Sequence, residues 1–332
     1  MTVRDKFRLV GRETDCHIIE GDGTRPIAEE NVRVLFTDER VQLPPEIAAW
    51  RREIEEEQRR LEAAGKKHAW NNGRFAVTGF VNTRSHTDEA PIITLSLCAA
   101  DYYDFMATSH HLDRLRENGL TLRKEFLENR DPVLAPAFMS CSFGVNIAVE
   151  TGVDKKMIFS FRSSTVEGRN QRMWNSSANE GLARAHDLPQ DGTPISLHNV
   201  ARRGLKEELA VLPSEAELEL LGFGLDLRNH QWAAFFRAVL PHLGEDDLRD
   251  RWSKGVEDKW EHERHAFVPS DPYSVLEFIA TEPAHAWTPC APALFYLALV
   301  RGAVQARGGD PAGRLDVEAA ERAVLRKHPP QD

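Results

Sequence analysis

Cysteine is scarce in this 332-residue chain, and what there is does not cluster. Cys16, Cys98, Cys141 and Cys290 form no CxxC pair and no Cys/His group, which argues against a zinc ribbon, a redox dithiol or a disulfide framework. They read as buried thiols of a reducing compartment, so a cytoplasmic location is expected. Basic charge is short as well. Lys and Arg number 42 against 52 Asp and Glu, a formal charge of −10. The footprint of a general nucleic-acid binder is missing, and no nucleic-acid partner is expected. Long apolar runs are also absent: the N-terminus has no hydrophobic signal region, and the stretch 291–300 is too short to span a bilayer, so no membrane partner is expected. No glycine-rich phosphate loop, internal repeat, heptad run or zinc-finger spacing is visible.

What is there is an alternation of strand-like and helix-like segments. Residues 31–36 alternate weakly as a strand. Over 46–64, Ile47, Trp50, Ile54 and Leu61 recur at helical spacing beside Glu/Arg pairs four apart, the pattern of a helix with a solvated charged face. Residues 75–81 and 92–98 read as strands, 101–106 as helical, and 145–149 and 157–162 as strands around a Gly-Val-Asp-Lys turn. The polar stretch 163–194 is long for a connection, which marks it as a functional loop or a structured insert. In 195–212, Leu197, Val200, Ala201, Leu205 and Leu209 make one apolar helical stripe, stopped by Pro213. Strands are expected over 218–225 and 231–239, and the remainder reads as mainly helical. The implied organisation is an N-terminal α+β region (1–140), a core (141–245) and a helical C-terminal extension with a polar tail (246–332). Strands on both sides of the central helix favour mixed α/β layers.

The chemistry-bearing segment is Arg203-Gly-Leu-Lys-Glu207-Glu208. On a helix Arg203 and Glu207 lie one turn apart, with Glu208 about 100° further round. Two such carboxylates can converge on a hard divalent cation, and an acidic protein needs that cation to host phosphate chemistry. The plain reading is an exposed Arg–Glu pair with a further surface Glu.

The run Arg203 to Val211 resembles the second half of the signature of the Nudix hydrolase superfamily, Arg-Glu-aliphatic-x-Glu-Glu-x-Gly-aliphatic. Gly204 stands where the signature has an acid, and Ala210 replaces its glycine. In the first half, Ile195 and Pro189 fall on the family's acid and glycine positions, and Gly181 is a displaced stand-in. The order of Trp50, the strands 75–81 and 92–98, the run Asp101 to Thr108 and the interrupted signature is similar to the Nudix UDP-glucose diphosphatase branch, over roughly 45–240. The resemblance implies a Nudix-like α/β/α sandwich, α+β in class, with an N-terminal strand–helix extension and a C-terminal mainly helical one. It also implies Mg²⁺- or Mn²⁺-dependent cleavage of a nucleoside diphosphate derivative such as a UDP-sugar. Arg203, Glu207 and Glu208 would be catalytic. Glu207 and Glu208 would hold the metal, and Glu180, Asp187 or Asp191 would fill the ligand place lost at Gly204. Arg162 would contact phosphate, and Tyr103 or Trp174 would stack on the base, although packing is the simpler role of both aromatics. Glu261, His262, Glu263, His198 and His186 are candidates for the general base, each with an ordinary surface or hydrogen-bonding role as its alternative. A homodimer is compatible with this reading. The rival reading, favoured by Gly204 and Ile195, is a catalytically inactive Nudix-fold sensor or regulatory binding protein; a structural partner protein is a third.

Overall fold

The computed structural model describes residues 6–164, 170–257 and 262–329. A mixed sheet forms its middle layer, in the order His262–Pro269, Lys156–Arg162, Phe143–Thr151, Gln231–Leu240, Glu217–Asp226, Cys16–Glu20. Phe143–Thr151 and Gln231–Leu240 run parallel, and the other pairs along this path are antiparallel. The short strand Ala178–Gly181 adds to the first half of Phe143–Thr151, while Lys156–Arg162 pairs at its far end, so two strands share one edge.

Alternation along Phe143–Thr151 assigns the two faces. Val145, Ile147 and Val149 join a core with the helix Leu197–Leu209 and with Val34, Phe75, Val77, Ile93 and Leu95 of a three-stranded sheet built from Val32–Arg40, Pro91–Asp101 and Gly73–Arg84. Ala148 faces the opposite core, made with the helices Pro272–Thr281, Ala291–Ala306 and Gly313–Lys327. This is the α/β/α layering, α+β in class, that the sequence predicts. All four cysteines are buried and free, and among the described residues no helix is long and apolar enough to cross a membrane.

The expected elements form with small shifts: the charged helix is Pro45–Ala63 and the acidic helix Leu197–Leu209. Among the strands that fall outside the sequence reading, three bear on the site. Cys16–Glu20 and His262–Pro269, from the two ends of the chain, are both members of the central sheet. The sheet therefore draws strands from all three stretches 1–140, 141–245 and 246–332. The third, Ala178–Gly181, is four polar or small residues and carries no apolar alternation.

Candidate functional site

The acidic helix begins at Ser196, whose side chain accepts from the Asn199 N–H at 3.2 Å. Its apolar stripe is fully buried, each Leu or Val contributing roughly 1.5–3 kcal/mol of transfer free energy. It ends at Ala210 in the left-handed region (φ 54°), with the Val211 N–H returning to the Leu205 carbonyl at 3.1 Å. Trp252 and Arg251 donate to the carbonyls of Leu209 and Ala210 at 2.9 and 3.0 Å, covering the free end.

Gly204 faces the short strand. A Cβ there would stand 2.9 Å from the Glu180 Cβ, so the missing side chain is what lets the strand approach. Glu180 thereby enters the space where the resemblance expects an acid at position 204.

Arg203 organises the cluster. Its guanidinium reaches the Glu180 carboxylate at 2.9 Å, Asp187 at 2.8 Å and Glu207 at 3.4 Å, and donates to the Gly181 carbonyl at 3.1 Å. Asp187 also accepts from the Ala183 N–H at 2.8 Å. Burial raises the Glu180 carboxyl, Arg203 holds it back, and Glu208 and Glu207 push it further, up to about 8. Glu208 turns away from this group. One of its oxygens accepts from the Asn179 backbone N–H at 2.8 Å and the other lies 2.6 Å from His262 Nε2; both side chains are almost fully buried.

This arrangement bears on the expected divalent cation. The guanidinium occupies the point on which Glu180, Asp187 and Glu207 converge, and Glu208 is committed to a backbone amide and an imidazole. Among the described residues no three His, Cys, Asp or Glu side chains form a group able to hold a metal ion. The donor set as built does not fit Mg²⁺.

Arg74 completes the neighbourhood. Its Nε is buried without a hydrogen-bond partner, its guanidinium lies 5.5 Å from the centre of the Tyr102 ring, and a Cβ on Gly181 would collide with it at 2.3 Å. Burial lowers its pKa, opposed by Tyr102 and Glu180. Sequence reasoning missed this residue, because a lone Arg at the start of a strand has no signal of its own.

The other candidates scatter. Asp191 caps an exposed turn through Thr193, at 3.0 and 2.7 Å, and does not reach the cluster. His186 is exposed. His198 packs edge-on to Phe236, 4.9 Å between centroids, and faces Glu29 at 3.8 Å. Glu263 is exposed, and Glu261 lies outside the described residues. Tyr103 is buried, donating from its hydroxyl to the Ala69 carbonyl at 3.0 Å. Trp174 sits in an aromatic cluster with Phe161, Phe278 and Trp287. Both side chains are packed against protein. Arg162 instead lines a polar cleft of about 170 Å³.

No family model matches the chain, and no curated protein matches it. Solved structures similar to it include DR0079 from Deinococcus radiodurans, at 13% identity over 55% of this chain and 96% of that one, with a TM-score of 0.33. The NUDIX domain of Shewanella oneidensis NrtR complexed with ADP ribose gives 18% identity, coverage of 53% and 95%, and a TM-score of 0.32. NrtR of the same organism complexed with a 27mer DNA gives 14%, 55% and 76%, and 0.34. Likeness this loose assigns neither a family nor a ligand.

Proposed function

We propose that this chain is a Nudix-like binding protein that holds a nucleoside diphosphate derivative without cleaving it, a sensor or regulatory module. The observation that carries the reading is the commitment of the signature acids: Arg203 draws Glu180, Asp187 and Glu207 onto itself, and Glu208 is sealed between Asn179 and His262. The acidic helix then serves as a brace between two layers. Arg74 supports an anionic ligand, because a buried guanidinium with an unpartnered N–H beside this cluster is satisfied by a phosphate oxygen.

The test is calorimetric titration with ADP-ribose and UDP-glucose in EDTA, alongside nucleoside monophosphate release with Mg²⁺ or Mn²⁺. Binding of at least one ligand in chelator with no release is expected, and Arg74→Gln should weaken that binding about tenfold or more. Turnover that EDTA abolishes would overturn the reading. It would support the second one, a Mg²⁺-dependent diphosphatase, which is favoured by Glu180 entering the place beside Gly204 and by the partly exposed Glu207. That reading requires Arg203 to release both carboxylates.

A further inference from the structure

The short strand Ala178–Gly181 has two sides with different surroundings. Glu180 lies opposite Val145 and points to the acidic helix; Asn179 lies opposite Asn146 and points to the other face of the sheet. There the Asn179 side-chain amide donates to the Asn146 carbonyl oxygen, and both residues line the polar cleft that also holds Arg162. The cleft is therefore distinct from the Arg203 cluster, none of whose side chains lines it.

Its walls carry polar atoms that the protein leaves unsatisfied. Asn229 is 5% exposed, and its side chain is fixed by donation from Nδ2 to Asp226 at 2.9 Å, yet its Oδ1 has no partner. The Asn170 Oδ1 and the Arg162 Nε are likewise buried without partners. Two acceptors and one donor without partners, on residues that line one cleft, would be satisfied by a ligand with several groups that both donate and accept, which describes hydroxyls. Asp226, the one carboxylate among the described lining side chains, already accepts from Asn229 Nδ2 and from the backbone N–H groups of Arg228 and Asn229.

The aromatic lining argues against a stacked nucleobase. Trp232 is 2% exposed, donates its indole N–H to Ser140 and packs against Phe80. Tyr102 is engaged by Phe105 at 5.9 Å and by Arg74 at 5.5 Å. Each ring already has a partner. We infer that this cleft is a second binding site, on the sheet face away from the acidic helix, and that it takes a polyhydroxylated ligand, a sugar ring held by the carboxamides and Arg162. The inference does not rest on the nucleotide reading above, since neither Arg74 nor the Arg203 cluster is among the residues that line the cleft.

Saturation-transfer NMR on the full chain with D-glucose, D-ribose and uracil tests it. Transfer to the protons of at least one sugar and none to uracil is expected. Gln231→Leu, on the partly exposed wall, should weaken sugar affinity about 3- to 10-fold with the native near-UV spectrum retained. Asn229→Leu should do the same wherever it retains the native near-UV spectrum. Absence of transfer to both sugars, transfer to uracil as strong as to sugar, or sugar affinity unchanged in Gln231→Leu would each overturn the assignment.

Discussion

Gly204 and Ala210 depart from the resembling signature in opposite directions, and their surroundings give each a separate consequence. At 204 the strand backbone has closed on the helix, so a side chain must push at the Glu180 Cβ, close to the backbone, and not at a flexible tip. Gly204→Glu, which would restore the family acid, is expected to lower stability by about 1–3 kcal/mol despite the better helix propensity of Glu, as read from urea unfolding. At 210 an alanine holds a left-handed conformation that glycine adopts without steric cost. Ala210→Gly should raise the unfolding free energy by about 1 kcal/mol, with the m-value unchanged.

At the scale of the element, the acidic helix is held to the short strand by the Arg203 network, and Glu180 makes that contact pH-dependent. Its folded pKa, pushed up to about 8, lies above the ordinary 4.5. Between those values the folded protein keeps a proton that the unfolded chain has lost. The contribution is fully present below pH 4.5 and is lost as pH rises toward 8, at up to about 1.4 kcal/mol per pH unit. Glu180→Gln should flatten this decline in denaturation midpoints measured from pH 5 to 8; an equally steep decline in the variant would refute the assignment.

For the whole molecule, the central sheet and its two flanking cores are shared along the chain. Ile27, Phe75 and Leu248 lie in the same core as Val145 and Leu205, and Leu9 and Cys16 pack in the other core with the C-terminal helices. A fragment of residues 141–245 would leave Glu217–Asp226 and Lys156–Arg162 as unpaired edges. Such a fragment is expected to give a collapsed, poorly dispersed amide NMR spectrum, while the full chain unfolds in urea in one transition. A well-dispersed fragment spectrum would show instead that this stretch folds alone.

The amino-acid order by itself determined the elements whose patterning is local. The stripe Leu197, Val200, Leu205 and Leu209 dictates a helix wherever it is placed, and the runs near Val77, Ile147 and Phe235 dictate strands, because burial of one face repeats with the period of the backbone. The pairing of Arg203 with Glu207, one helical turn apart, was legible for the same reason. Only the tertiary structure decided what that pair faces. Ala178–Gly181 has no apolar alternation and is a strand because Phe143–Thr151 offers it a hydrogen-bonding edge. His262 meets Glu208 because distant segments pair, 54 positions apart. Arg74 and Asn229 acquire meaning from unpaired atoms, a property of packing and not of residue type. Spacing along a helix states which side chains are neighbours on that helix; the partner each carboxylate takes depends on strands brought in from elsewhere in the chain.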